Sequence, residues 1–197
     1  MPIPSHLCHY CNKPLLPDGK CQRCRNHKRG LTGLYGAYAY KDPLLTCIHS
    51  LKYYGNTRIA LPLGVLLAKA YQTSNLHADL IIPVPLHPER LKQRGYNQAH
   101  LLAQVCAQAV GVPLNVSILQ RRKETQVQVH LHRYERHANV AGAFCCQSPI
   151  ATKSLENRRI VIIDDVSTTG ATLEACAAPL FAAGASEVWG LVLARPL

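Results

Sequence analysis

Apolar residues along this chain alternate between short β-branched runs and longer stretches of helical periodicity. The run Ile160–Ile163 is continuous and β-branched, which predicts a strand buried on both faces of a parallel sheet. Residues 80–84 form a second short apolar run that Pro85 ends, and residues 34–40 alternate in the manner of an edge strand. The remaining strands that the pattern predicts cover residues 113–119, 187–194 and, more weakly, 143–146.

Segments of helical character separate these runs. A helix is predicted to begin at Pro43 and to extend to Tyr54, because proline is favoured at the first position of a helix. A second helix follows Asn56, and its apolar residues at helical spacing are Leu61, Leu63, Leu66, Leu67, Ala70 and Tyr71. Further helices are predicted over residues 88–109 and 173–183. Strands that alternate with helices predict an α/β fold, a mostly parallel sheet flanked by helices with right-handed crossovers.

Two adjacent acids, Asp164 and Asp165, end the buried apolar run. Like charges at the carboxyl end of a strand, where open α/β sheets bind ligands, need a cationic or hydrogen-bonding partner. The segment Ser167–Thr172 then supplies hydroxyls, a glycine and backbone N–H groups at a helix start, which favours a phosphate. Ribose hydroxyls or a hydrated Mg²⁺ would give the acids a partner. An ordinary helix N-cap is the alternative, but it needs no acid pair.

The formal net charge is +11 in 197 residues, and the surplus of Lys and Arg is concentrated in residues 1–30 and 87–136. This distribution favours polyphosphate or nucleic acid as the partner class. A Walker loop and a glycine-rich dinucleotide motif are both absent from the sequence. A hydrophobic content of 48% suffices for one domain and a small appendage. With no leader pattern and no apolar stretch of about 18 residues, we expect a cytoplasmic protein without membrane insertion.

Four of the nine cysteines form two CxxC pairs, and these are Cys8, Cys11, Cys21 and Cys24. Each pair can present two thiolates to one tetrahedral ion, and so short a segment could not fold without a cross-link. The spacing therefore predicts a zinc-ribbon-like module over residues 1–30 with structural Zn²⁺, and a second domain over residues 31–197. A redox pair is the competing interpretation. The odd cysteine count and the large core argue for a reducing compartment.

The segment Ile160–Thr172, which reads IVIIDDVSTTGAT, resembles the ribose-phosphate signature of type I phosphoribosyltransferases. Ile82–His87, Arg90 and Arg94–Gln98 are similar to the PVPLH, R and RGYNQ block of the ComF/GntX family of bacterial competence-associated proteins. Further matches to that family's pattern are Leu51–Tyr53, Gly55, Arg121, Arg122, Thr125, Gln128, Leu131, Arg136, Asn139, Ala143 and Phe144. These blocks follow the family's order over nearly the full chain, so the chain is identified as a member of it.

The resemblance implies a type I phosphoribosyltransferase fold, with phosphoribosyl pyrophosphate (PRPP) and Mg²⁺ across the carboxyl ends of the strands. It assigns the ribose and catalysis to Asp164 and Asp165, with Arg94 as a third catalytic residue. The 5′-phosphate is expected on Ser167, Thr168, Thr169, Gly170, Ala171 and Thr172. The pyrophosphate is expected on Leu86, His87, Arg90, Arg94 and Lys52, the alternative for Lys52 being a helix cap with its amine in solvent. A mobile loop is expected to include Arg121, Thr125, Gln128 and Arg136.

The resemblance also implies a role in natural transformation, in which the protein handles incoming single-stranded DNA in the cytoplasm beside a ComFA-type helicase and other competence proteins. Two alternatives stay open at this point. One is an active phosphoribosyltransferase that moves the ribose 5-phosphate of PRPP to an unidentified base or amine. The other is a non-catalytic nucleic-acid-binding zinc protein, which rests on the basic cysteine module and on Tyr10, Tyr53, Tyr54 and Tyr96 near cationic residues.

Overall fold

The computed structural model describes residues 7–8, 14–22, 24, 30–123, 140–147 and 155–196, which include an α/β domain with helices on both faces of a parallel sheet. In chain order the elements are β1 (Gly33–Ala39), α1 (Leu44–Tyr53), α2 (Ala60–Thr73), β2 (Leu80–Pro83), α3 (Pro88–Arg94), α4 (Gln98–Val110), β3 (Leu119–Arg121), β4 (Phe144–Cys146), β5 (Arg159–Val166), α5 (Ala171–Ala182) and β6 (Glu187–Arg195). A 3-10 turn, Thr57–Ile59, leads into α2.

Four strands form the parallel sheet, in the order β1, β6, β5, β2. β5 lies inside the sheet, where Ile162 is paired with Ile82 on one side and with Gly190 on the other. The expected parallel α/β sheet is therefore confirmed, and β1 lies at the edge, as its alternating pattern predicts. β6 is the last strand along the chain but lies between β1 and β5. The acids at the end of β5 consequently have neighbouring strands on both sides.

The apolar run of β5 divides the core between two faces of the sheet. Ile160 and Ile162 are fully buried in a cluster that includes residues of α5. Val161 and Ile163 are buried in a second cluster, with residues of α1, α2 and α4. Because successive strand residues point to opposite faces, a strand covered on both faces requires a continuous apolar run. Packing from both layers therefore fixes the position of β5 and of its carboxyl end.

The single helix predicted over residues 88–109 is wrong, since two helices occupy this stretch. Gly95 ends α3 with φ +82°, a left-handed conformation that glycine adopts without strain. Asn97 then caps α4, because its side-chain oxygen accepts a hydrogen bond of 2.9 Å from the Ala99 N–H. The Asn97 amide also donates to the Val84 carbonyl at 2.9 Å, which ties the break to the end of β2.

The strand predicted over residues 113–119 is wrong for most of its length. Leu114 forms one parallel bridge with Ile81, and the chain then turns away. The turn has a local cause, because the Asn115 side chain accepts hydrogen bonds of 2.9 Å from the backbone N–H groups of Ser117 and Ile118. Only at Leu119 does β3 begin, and it pairs with β4 in a separate antiparallel sheet. The strand expected near residues 143–146 is thus present, but outside the main sheet.

The described part of the cysteine segment packs directly on the α/β domain. Leu7 and Pro14 form an antiparallel bridge, and the Leu16 N–H donates to the Lys20 carbonyl at 2.8 Å. Cys8 and Cys21 are buried in the same core cluster as residues of β1 and α5. The division of the chain at residue 30 stays a prediction. Among the helices of the described ranges, none has both the length and the apolar character needed to cross a membrane.

Candidate functional site

The acid pair lies at the carboxyl end of β5, next to β6. Asp165 is buried, and its backbone N–H donates to Asp164 Oδ1 at 2.9 Å. The Val166 N–H in turn donates to Asp165 Oδ1 at 2.6 Å. These backbone bonds orient both carboxyl groups at the end of the strand and satisfy one oxygen of each. The second oxygen of Asp165, Oδ2, faces a cation from another element.

Lys52, from the last turn of α1, provides the cation for one of these acids. Its Nζ lies 2.8 Å from Asp165 Oδ2, and the side chains of Lys52 and Asp165 are 20% and 3% exposed. Burial acts to lower the pKa of Lys52, but the charge and hydrogen bond of Asp165 outweigh it, so the pKa is raised. The sequence prediction placed Lys52 on a pyrophosphate, whereas in the structure its amine contacts the acid pair directly.

Asp164 differs from its neighbour because it is half-buried, whereas Asp165 is buried. Burial, followed by the negative charge of Asp165, raises the pKa of Asp164 to about 7, and Lys52 offsets part of this effect. Its proton therefore titrates close to neutral pH. A cation or a donor hydroxyl beside Asp164 would favour its ionised form, so ligand binding and deprotonation of Asp164 are linked.

The loop after β5 leads directly into α5. The Ser167 N–H donates to the Ala194 carbonyl at 3.2 Å, so the loop starts while still attached to β6. Gly170 precedes the helix with φ +88°, and the Thr169 hydroxyl accepts from the Ala171 N–H at 3.3 Å. A helix start with hydroxyls and backbone N–H groups attracts an anion through the helix dipole and its unpaired donors. α5 begins at Ala171, two residues earlier than predicted.

A cavity of 490 Å³ lies between this loop and the end of α1. We name its first side the loop wall, formed by Asp164 and residues 166–173. We name its second side the aromatic wall, formed by Tyr40, His49, Lys52 and Tyr53. The volume falls within the range of about 300–1,000 Å³ that is usual for small-ligand sites. The structure thus brings one predicted acid, the whole predicted phosphate loop and Lys52 to one cavity.

Sequence reasoning missed two residues of the aromatic wall, Tyr40 and His49. The Tyr40 hydroxyl and His49 Nε2 are 3.1 Å apart, and the His49 ring meets the Tyr53 ring edge-on at 5.5 Å between centroids. A signal was present, since His49, Lys52 and Tyr53 have the i, i+3, i+4 spacing of one helix face. Tyr40 directly follows β1, where side chains of a parallel sheet can reach a ligand.

The predicted pyrophosphate residues are distributed over a wider area than the cavity. The Arg94 guanidinium lies 5.9 Å from the Tyr53 ring centroid and donates to Gln98 Oε1, so Arg94 lies beside the aromatic wall. Leu86 lines a separate cavity of 540 Å³, and His87 is the residue that precedes α3. His87 Nδ1 is buried and, within the described part of the chain, has no hydrogen-bond partner.

Arg121 links this area to the acid pair. It belongs to β3, where it is paired with Phe144, and its guanidinium lies 5.5 Å from the Phe144 ring centroid. Burial and the positive charge of Arg90 lower the pKa of Arg121, and Asp164 acts in the opposite direction. Arg90 and Arg121 therefore lie within electrostatic range of each other, and Arg121 also of the acid pair. The other predicted loop residues, Thr125, Gln128 and Arg136, lie outside the described residues.

Three of the four predicted metal ligands form a cluster. The sulfur atoms of Cys8, Cys21 and Cys24 all lie within 4.8 Å of one another, and Cys11 lies outside the described residues. Thiolates at this spacing suit a soft, tetrahedral ion such as Zn²⁺. The donor set fits the predicted metal, and a group of three cysteines can hold an ion when a further ligand completes it.

Comparisons with known proteins agree with this architecture. The Phosphoribosyl transferase domain family matches residues 96–196. DNA utilization protein YhgH of Salmonella typhimurium is 32% identical over 197 residues, covering 97% of this chain and 85% of that protein. Competence protein F of Haemophilus influenzae is 31% identical, covering 95% and 84%. Competence protein ComFC of Bacillus subtilis is 27% identical, covering 98% and 79%.

These matches extend over the cysteine segment as well as the α/β domain, since the relatives cover 95% or more of the chain. The parallel sheet, the acid pair at the carboxyl end of β5 and the loop before α5 are the features that the sequence resemblance predicts. The chain belongs to the ComF family, within the type I phosphoribosyltransferase superfamily.

Proposed function

We propose that this protein binds PRPP together with Mg²⁺ in the 490 Å³ cavity and acts in natural transformation. One observation carries the first part of the proposal: Asp164 of the acid pair and the loop before α5 line a single cavity of small-ligand size. Asp164 and the loop are adjacent along the chain, and they suit different parts of a ligand. One suits hydroxyl groups or a cation, and the other suits a phosphate.

The 5′-phosphate is assigned to the loop wall. Thr168 and Thr172 line the cavity, and residues 170–173 lie at the first turn of α5. Backbone N–H groups at a helix start have no partner within the helix, and the helix dipole is positive there. A dianionic phosphate at this point would accept from these groups and from the threonine hydroxyls.

The ribose is assigned to Asp164, which lines the same cavity. Ionised Asp164 accepts hydrogen bonds from vicinal hydroxyls, and the Asp165 ion pair with Lys52 holds the neighbouring charge in place. Arg90, Arg94 and Arg121 supply positive charge on the side where the pyrophosphate would extend. When bound to the pyrophosphate, Mg²⁺ supplies further neutralisation of its charge.

The role in transformation is inferred from the relatives named competence protein F and competence protein ComFC. A formal net charge of +11 supports contact with single-stranded DNA. The proposed partners are incoming DNA in the cytoplasm and a ComFA-type helicase. A structural Zn²⁺ on the cysteine cluster would stabilise the amino-terminal segment that carries part of this positive charge.

Isothermal titration calorimetry tests PRPP binding. The wild-type protein is expected to bind PRPP in the presence of Mg²⁺, and Asp164→Asn with Asp165→Asn should weaken binding at least about a hundredfold through lost charge-assisted hydrogen bonds. Asp79→Asn is the matched control, because Asp79 pairs with Arg159 at the opposite end of the strands. Equal affinity in the double variant and the control would contradict the site.

Two further measurements address activity and DNA. Release of pyrophosphate from PRPP in a screen of bases and amines would establish transfer, and none across the screen would assign the protein a binding role. Binding of a single-stranded oligonucleotide is expected to weaken steeply as salt rises. Strain complementation tests whether the candidate site is needed for transformation. The Asp164→Asn, Asp165→Asn double variant should fail to restore transformation in a strain that lacks the gene.

A further inference from the structure

Arg195 is buried at the carboxyl end of β6, next to the candidate cavity. The residue is 2% exposed, and its side chain is the largest among the fully buried side chains of the described residues. Arginine is rarely buried to this extent unless its charge and its donors are compensated. The positions two and four residues earlier, Leu193 and Leu191, share its face of the strand and are apolar. An apolar residue would fill this place at lower cost, so the contacts of Arg195 indicate its role.

Arg195 contacts residues of both walls of the cavity, although it does not line the cavity itself. On the loop wall, its Nε donates to the Ser167 carbonyl at 3.4 Å. On the aromatic wall, its backbone carbonyl accepts from the Tyr40 N–H at 2.8 Å. Ser167 is attached to β6 a second time, since its own N–H donates to the Ala194 carbonyl at 3.2 Å. The end of β6 therefore fixes the start of the loop wall relative to the opposite wall.

The bond from Arg195 also orients the peptide group between Ser167 and Thr168. This peptide group is trans, so its C=O and its N–H point in opposite directions. Because the Ser167 carbonyl is directed at Arg195, the Thr168 N–H is directed away from Arg195. Thr168 lines the cavity. A carbonyl oxygen turned toward a phosphate would repel it, whereas the N–H end of a peptide dipole attracts it, so this orientation favours an anion.

We propose that Arg195 is a positioning residue for the 5′-phosphate, which acts through the Ser167–Thr168 peptide group and does not touch the ligand. The inference rests on the proposed function, because a phosphate monoester is the group assigned to the loop wall. Ribose 5-phosphate carries this group without a pyrophosphate and is the probe for the loop wall. Pyrophosphate with Mg²⁺ lacks the 5′-phosphate and is the probe for the other side of the site.

Isothermal titration calorimetry with the two probes tests the inference. Arg195→Met keeps much of the buried side chain but removes its charge and its donors. It should weaken binding of ribose 5-phosphate about tenfold to a hundredfold, the range for one hydrogen bond from a charged group. Binding of pyrophosphate with Mg²⁺ should change less than about threefold at physiological salt, where distant charges are screened. The pyrophosphate is assigned to the side of Arg90, Arg94 and Arg121, and Arg195 holds the loop wall.

Leu191→Ala is the matched control, because it also changes a fully buried side chain of β6, four residues before Arg195. It should lower the thermal midpoint through the cavity that it leaves, but keep both affinities. Three results would each overturn the inference. They are equal loss of both probes in Arg195→Met, wild-type affinity for ribose 5-phosphate in that variant, and the same selective loss in Leu191→Ala.

Arg195→Lys is a second variant, which decides the question if Arg195→Met does not fold. It keeps the charge but lacks the Nε donor that contacts Ser167. It should also lose affinity for ribose 5-phosphate selectively, and wild-type affinity would contradict the role of that contact.

Calorimetry with PRPP on the same proteins separates this inference from the proposed function. If the wild-type protein binds ribose 5-phosphate but not PRPP, the proposed ligand is wrong, and the selective loss in Arg195→Met still supports the positioning role. If Arg195→Met binds PRPP and ribose 5-phosphate as the wild-type protein does, the proposed function stands and the positioning role is wrong. A wild-type protein that does not bind ribose 5-phosphate would also overturn the positioning role.

Discussion

Lys52 Nζ lies 2.8 Å from Asp165 Oδ2, and this contact joins the last turn of α1 to the end of β5. Asp165 is almost completely buried, so an ion pair supplies the compensation that its charge requires. The chain therefore contains its own cation at the acid pair. Of the two acids, Asp164 is the one that lines the cavity. The negative charge of Asp165 is already balanced by Lys52 before any ligand binds.

Replacing Lys52 with Met should lower the free energy of unfolding by roughly 2 kcal/mol, a value between those of exposed and fully buried ion pairs. The physical reason is the uncompensated charge left on buried Asp165. Urea denaturation at pH 7 measures the effect. Lys69→Met is the control, because Lys69 is an exposed lysine in the helix α2.

The double variant Lys52→Met with Asp165→Asn provides a second check on the same pair. Removing both charges leaves no buried carboxylate without a cation, so this variant should be more stable than Lys52→Met alone. A double variant less stable than either single variant would show that the ion pair is not what Lys52 contributes.

Stability should depend on pH through Asp164. Its pKa in the folded protein is raised from 3.8 to about 7, so the folded chain binds this proton more tightly than the unfolded chain does. The contribution of Asp164 to the free energy of unfolding therefore decreases as pH rises from about 4 to about 7, and stays low above that. The difference in the free energy of unfolding between Asp164→Asn and the wild-type protein should thus be about 2 kcal/mol more in favour of Asp164→Asn at pH 8 than at pH 5. Denaturation curves at the two pH values measure this, and an identical difference at both would contradict the raised pKa.

Gly170→Ala should cost about 1–2 kcal/mol, because an alanine is strained at φ +88°. It should also weaken PRPP binding about tenfold or more, since it displaces the loop before α5. Gly111→Ala is the matched control, with φ +69° at the end of α4 and no atom within 4 Å of an added Cβ. Both variants should lose stability, but only Gly170→Ala should lose affinity in calorimetry. Equal affinities would remove the phosphate assignment from this loop.

The four cysteines predict about one Zn²⁺ per chain, measurable by elemental analysis. Cys21→Ser should lose the ion and lower the thermal midpoint by roughly 5–10 °C, because Cys21 is buried in the main core cluster. Cys145→Ser, which changes a cysteine outside the cluster, should keep the ion. A wild-type protein without zinc, or a Cys21→Ser protein that retains it, would contradict the metal site.

Much of the fold was predictable because its signals are local. The run Ile160–Ile163 predicts a strand covered on both faces, and the structure confirms it. The errors arose where one or two residues that favour a turn or a helix end interrupt a longer apolar pattern. Asn115 turns the chain through its own hydrogen bonds, and Gly95 with Asn97 divides one apolar helical stretch into two helices.

The candidate site was predictable only where its residues follow one another in the chain. Asp164 and the following loop form one continuous segment, and the structure places them on one cavity. The contact between Lys52 and Asp165 joins elements that are distant in sequence, and no local pattern reports it. The same holds for Tyr40 and Arg94, whose places at the aromatic wall depend on how β1, α1 and α3 pack.

Helix α5 has neighbours at both the cysteine segment and the cavity. Its first residue, Ala171, lines the cavity, while Glu174, one turn later, lies against Gly30 at the end of the cysteine segment. Cys8 and Cys21 share a core cluster with Ala171. The amino-terminal segment therefore packs beside the turn that is proposed to bind the phosphate, and we expect removal of the proposed Zn²⁺ to leave one side of α5 less well supported.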